Sequence, residues 1–136
     1  MTTHKIHPEV ENYARFNGLT FKHHQPEGRY FETGAYRDGV DGKVDFEGFL
    51  SPLVLEAFGR YMHSHRIQSD GHLRDSDNWQ KGIPREQYMK SAWRHFMDLW
   101  REHRGYDSRD GIEEALGGLL FNVMGYWFEL LKAEKP

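Results

Sequence analysis

The stretch DGIEEALGGLLFNVMGYWFELL, Asp110 to Leu131, decides how this chain folds. Its apolar residues recur at helical spacing, yet Gly117, Gly118 and Gly125 lie in its interior. An interior glycine costs a helix about 1 kcal/mol against alanine. At about 100° per residue, Ile112, Leu116, Leu119, Leu120, Val123, Trp127, Leu130 and Leu131 fill one broad arc, which reads as core. Opposite them Glu114, Gly118, Phe121, Asn122, Gly125 and Glu129 make an arc that is small and polar. Two purposes explain the glycines: they clear space beside Glu114 and Asn122, or they let another helix pack close. Glu114 also suits the positive end of the helix.

Two more helices precede this one. Ser51-Pro52 is an N-cap followed by proline at the first helical position, and opens a helix to about His65. Val54, Leu55, Ala57, Phe58, Tyr61 and Met62 form its apolar face. Ile83-Pro84 opens another, which Gly105 stops after Arg104. Its core face is Met89, Ala92, Trp93, Phe96, Leu99 and Trp100. Ser91, His95, Asp98 and Glu102 follow one boundary, and Lys90, Arg94 and Arg101 the other. The connection QSDGHLRDSDNWQKGIP is long and rich in Asp, Ser and Gly. Residues 1–31 read as an irregular, His-rich arm with one short helix near Pro8 to Phe16. Residues 32–136 read as a single all-α domain, a bundle of three main helices completed by oligomerisation.

Bulk composition narrows the function. At 136 residues the chain suits one domain or one subunit of a small oligomer. With no cysteine it has neither disulfides nor thiolate metal sites. A net charge of -3 argues against a general nucleic-acid binder, leaving the Lys90, Arg94 and Arg101 stripe as the one basis for DNA contact. No apolar run approaches the ~20 residues of a membrane span, and MTTHKIHPEV has no signal-peptide pattern, so the expected location is the cytoplasm. Fifteen percent of the residues are aromatic, a feature of cores and of nucleotide pockets alike.

Several polar groups have candidate chemistry. Asp98 and Glu102 put two carboxylates on one helical face, a spacing that suits a divalent ion or plain solvated pairing. Glu56 stands on the polar side of its helix with Arg60 and His63. His63 with His65, and His23 with His24, have no metal-ligand spacing on a helix. The turn DNWQKGIP sets Asn78, Trp79 and Lys81 before a helix start, where lysine and free N–H groups take phosphate oxygens and tryptophan stacks on a base. A capped turn anchored by Trp79 explains it equally. The loop TGAYRDGVDGK carries Arg37 and Lys43 but lacks P-loop spacing.

Taken in order, TGAYRDGVDGK, a Pro-initiated helix, DNWQKGIP, SAWRHF and EEALGGLLFNVMGY resemble the phage-type dATP/dGTP diphosphohydrolase N-terminal family, a branch of the all-α MazG-like nucleoside triphosphate pyrophosphatases. The likeness runs from about Glu32 to Leu131. Gly34, Ala35, Arg37, Asp38, Gly42 and Lys43 match one motif; Asn78, Trp79, Lys81 and Gly82 a second; Ala92, Arg94 and His95 a third; Asn122 is the late asparagine. The resemblance implies a MazG-like bundle that hydrolyses a (deoxy)purine nucleoside triphosphate to monophosphate and pyrophosphate, as phage control of nucleotide pools within an infected cell. It implies Mg²⁺ or Mn²⁺, a homodimer or homotetramer, and catalysis by Glu114, Asp98 and His95. Metal ligands would come from Glu56, Asp98, Glu102, Glu113 and Glu114. Arg37, Lys43, Lys81 and Arg94 would hold phosphate, and Asn78, Trp79 and Asn122 would meet the base or sugar. The chain departs from the family at its E-x-x-D signature, where Ala115 and Gly118 stand, and the inserted MHSHRIQSDGHLRDS lengthens the connection before Asn78. The competing expectation is a helical binding module that keeps the fold without catalysis.

Overall fold

The computed structural model describes residues 28–40 and 42–134. The expected helix near Pro8 to Phe16, the pair His23-His24 and all but the last residues of the arm lie outside them. The chain divides into two units, residues 1–50 and 51–136.

In the first unit, β1 (Arg29–Tyr30) and β2 (Tyr36–Arg37) pair antiparallel, with Arg29 opposite Arg37 and Tyr30 opposite Tyr36. The reversal turns on Gly34 at φ +85°, a conformation in which a side chain would be strained. One turn of helix follows, α1 (Phe46–Phe49), capped by Asp45, whose carboxylate accepts from the Gly48 N–H at 3.0 Å. The sequence shows only the end of the arm and the loop TGAYRDGVDGK here, because the hairpin and α1 are too short to show periodicity.

The second unit holds α2 (Pro52–Ser64), a 3₁₀ turn (Asn78–Lys81), α3 (Arg85–His103) and α4 (Ile112–Ala133). The three long helices lie where proline, cap and glycine signals place them. Ser51 accepts from the Val54 N–H at 3.3 Å to open α2. Gly105, at φ +84°, ends α3 after Arg104. Glu102 then ties the α3–α4 turn by accepting from both the N–H and the hydroxyl of Ser108, at 2.8 and 2.7 Å. These two bonds hold the Glu102 carboxyl below its ordinary pKa.

The helix faces are reversed from the sequence reading. On α4 the buried residues are Ala115, Gly118, Asn122 and Gly125, all on the small arc and its edge. Along the arc read as core, Ile112, Leu116, Leu120, Val123, Trp127 and Leu131 are between 40% and 58% exposed, and Leu119 and Leu130 are half-buried. The same holds on α3. Tyr88 is buried, and Ser91, Ala92, His95, Asp98, Leu99 and Glu102 are half-buried, while Met89, Trp93, Phe96 and Trp100 stand out. On α2, Phe58, Tyr61 and Met62 are half-buried, but Val54 and Leu55 are exposed. Periodicity finds an apolar stripe but not what the stripe faces. Within one chain, the small residues bring two helices into contact, and the apolar stripes are left outside.

The glycines show why. A Cβ on Gly118 would overlap the His95 ring, one on Gly125 the Tyr88 ring, and one on Gly117 the Tyr61 ring. The contacts step two turns up α4 from Gly118 to Gly125, and two turns back along α3 from His95 to Tyr88. The helices are therefore antiparallel, with rings set into glycine notches. Of the two purposes for these glycines, close helix packing is the one met. Tyr88, 2% exposed, also meets Phe121 edge-on at 5.9 Å between centroids. Among the described residues, no helix is long and apolar enough to cross a membrane.

Candidate functional site

Where α2 ends, the chain leaves the helix through His65 and folds back on itself. Ile67 bridges Leu73 antiparallel, and Gly71 turns the hairpin at φ +85°. At the base of this hairpin the Arg74 N–H donates to the Arg66 carbonyl, and Arg66 Nε donates back to the Arg74 carbonyl, both at 2.8 Å. The two arginines are thereby held side by side. The chain then enters the 3₁₀ turn, where Trp79 packs edge-on against Phe128 and Phe121, at centroid distances of 4.9 and 6.1 Å.

These segments enclose a cleft of about 430 Å³ against α3 and α4. Trp79, Phe121, Tyr61 and Met62 line its apolar wall. Arg66, Arg74, His63, His65 and His95 bring nitrogen to it, with Asp75 as the acidic group among them. Asn78, Ser91 and Asn122 complete the polar lining. Asn122, 5% exposed, donates from its side-chain amide to the Gly118 carbonyl at 2.7 Å, which fixes the amide within its own helix. A volume of this size, apolar walls and convergent polar groups are the ordinary features of a small-ligand site.

His95 is the most constrained of these groups. Its ring fills the Gly118 notch. Burial lowers its pKa; Asp98 opposes that shift, and Arg94, His65 and Arg109 add to it. At neutral pH the ring is therefore neutral and able to accept a proton. His65 donates from Nε2 to Glu114 Oε2 at 2.8 Å, which places Glu114 at the border between this cleft and a second groove. That groove, lined by Leu53, Phe58, Tyr61, Glu113, Leu116 and Leu120 among others, runs between α2 and α4. Burial, and after it the Glu114 charge, raises the pKa of Tyr61, which lies on both.

The expected site residues thus separate into groups. Asn78, Trp79, His95 and Asn122 meet in the cleft, and Glu114 reaches its edge through His65. Trp79 is also the packing anchor of its turn, so both readings of DNWQKGIP hold in part. Lys81 is exposed at the end of that turn, and Lys132, not Lys81, approaches the turn's Gln80 carbonyl at 3.5 Å. Arg94 donates to the Ser91 hydroxyl at 2.8 Å and does not line the cleft. Of the basic stripe on α3, Lys90 pairs with Glu86 at 3.3 Å and Arg101 donates to the Asp107 carbonyl. Arg37 and Lys43 line a separate groove of the first unit, with Arg29, Tyr36 and Asp38.

The proposed metal ligands do not assemble. Glu56 pairs with Arg60 at 2.7 Å on the open side of α2. Glu102 is committed to Ser108, and Glu113 faces the α2–α4 groove. Ala115 and Gly118 are both buried, and the His95 ring occupies the room a side chain at 118 would need. Among the described residues no three Asp, Glu or His side chains form a group that would hold a metal ion. A divalent-ion site does not fit the carboxylates as the described residues of one chain present them.

Sequence reasoning missed Arg66, Arg74, His63 and Tyr61. The one local signal was Asp70-Gly71, a turn dipeptide, with a single β-branched residue, Ile67, beside it. It was obscured by the polar, loop-like composition around it. No protein-family model matches the chain, and neither a curated protein nor a solved structure matches it.

Proposed function

We propose that the cleft binds a purine nucleoside triphosphate. The observation that carries this reading is the juxtaposition, in one cavity, of an aromatic wall and a basic rim: Trp79, Phe121 and Tyr61 against Arg66, Arg74 and His63. A flat heteroaromatic base suits the first and polyphosphate the second. Asn78 and Asn122 are the side chains with amides suited to reading a base edge or a sugar hydroxyl.

Hydrolysis to the monophosphate and pyrophosphate is the activity that the MazG-like resemblance attaches to such a site, in the cytoplasm where nucleotide pools lie. Toward it this chain offers a neutral His95 inside the cleft and Glu114 at its edge, as a proton acceptor and a carboxylate that orients His65. The second reading is a module that binds nucleotide without turnover. The specific observation favouring it is the burial of Ala115 and Gly118 where the family's acidic pair would stand.

We also infer self-association, as a homodimer or homotetramer, through the outer faces of α3 and α4. Met89 and Ala92 of α3 adjoin Val123, Trp127 and Leu130 of α4 across an apolar groove, and Trp93, Phe96 and Trp100 on α3 and Ile112, Leu116, Leu120 and Leu131 on α4 are exposed. So many exposed apolar side chains on two packed helices are more than a monomer ordinarily shows to water.

The deciding measurement is pyrophosphate release from each dNTP and NTP with Mg²⁺ or Mn²⁺, run beside thermal stabilisation by the same nucleotides. Turnover lost in Glu114→Ala supports the hydrolase. Stabilisation without turnover supports the binding module. Neither effect, in folded protein, overturns the nucleotide reading.

A further inference from the structure

We propose that the hairpin base holds the phosphates directly, with Arg66 and Arg74 as the phosphate ligands and no divalent ion required for binding. This rests on the nucleotide reading of the cleft and adds how its anionic end is recognised. Three observations lead to it. The segment that supplies the arginines closes as a hairpin on Gly71, and reciprocal bonds between Arg66 and Arg74 fix its base at the cleft. Among the described residues, the Arg74 guanidinium and the His63 ring have no ion-pair or hydrogen-bond partner, and Arg66 spends only Nε on the hairpin. Glu56, Glu102 and Glu113, which would otherwise help recruit a cation, lie away from this cleft, and among the described residues no metal-holding group forms.

The chemistry agrees with this placement. Guanidinium groups present planar, paired N–H donors that match phosphate oxygens two at a time. An acidic site reaches a polyphosphate through a bridging cation, because like charges repel. A basic site needs no such bridge. Asp75 is the one carboxylate lining the cleft among the described residues, and two arginines outweigh it.

The test is calorimetric titration of the full chain with a non-hydrolysable purine nucleoside triphosphate analogue. It is run once in EDTA and once in magnesium, for wild type, Arg74→Ala and Arg74→Lys. The proposal expects similar affinity in both buffers. It expects a loss of about tenfold or more for Arg74→Ala, the scale of one charge-assisted hydrogen bond, with partial recovery in Arg74→Lys. Arg74 is exposed, so the variants should keep the wild-type melting temperature. Inorganic tripolyphosphate should compete, and the unphosphorylated nucleoside should not. Binding that requires magnesium, or that ignores Arg74→Ala, overturns the proposal and leaves the nucleotide reading standing. No binding of the analogue in either buffer overturns both.

Discussion

The His95 ring occupies the place a side chain on Gly118 would take. This one relationship joins the fold to the site, because the notch that seats His95 also fixes it at the cleft wall. It also turns a cost in helix propensity into a packing requirement.

Gly118→Ala should therefore destabilise the protein although alanine is the better helix former. The gain of about 1 kcal/mol in propensity is opposed by overpacking that ordinarily costs about 1–3 kcal/mol. Gly59, in α2, has nothing within 4 Å of where its Cβ would lie. Gly59→Ala should stabilise by about 0.5–1 kcal/mol. Urea unfolding of the two variants checks both, and equal shifts of one sign would contradict the notch.

Stability should fall on acidification through the histidine range. Burial keeps the folded His95 pKa below 6.5, so the unfolded chain binds more protons in that window. The contribution is complete above about pH 6.5 and is lost as the pH falls through the folded value. A melting curve series from pH 7.5 to 5.5 should slope downward for wild type and less for His95→Gln. Parallel slopes would remove His95 as the cause.

A second acid window belongs to Glu102. Its depressed pKa, set by the Ser108 bonds, adds stability above the ordinary glutamate value of 4.5 that is lost at lower pH. Ser108→Ala removes the hydroxyl donor, should lower the melting temperature at pH 7 and should flatten the response below pH 4.5. A variant with unchanged acid sensitivity would show that the turn does not depend on this carboxylate.

The outer stripe predicts assembly. Sedimentation should find a dimer or tetramer, and Leu120→Glu or Trp127→Glu should shift it toward monomer. Both positions are exposed within one chain, at 40% and 58%, so the charge should leave the helices themselves formed. A wild-type monomer at high concentration would sink this expectation.

The helices were legible because their signals are local. Ser51-Pro52, Ile83-Pro84, Gly105 and the acidic start of α4 act on the backbone within a turn of themselves. Asn78 and Trp79 were legible as site candidates by their place before a helix start and Asn122 by its small, polar helix face, while His95 entered only through the family resemblance; the four share one cleft. What faces what was not legible. A period of 3.6 residues marks a stripe, but whether the apolar or the small stripe meets the neighbouring helix depends on how closely the two axes can approach. Rings of His95, Tyr88 and Tyr61 set against Gly118, Gly125 and Gly117 decide that, and they come from other helices. The arginine pair depended in the same way on tertiary structure. Arg66 and Arg74 are eight residues apart in the chain and meet only because a β-bridge closes across Gly71. By itself the sequence determined where helices start and stop. Only the fold decided which faces they bury and which charges they gather, because those depend on contacts between residues far apart in the chain.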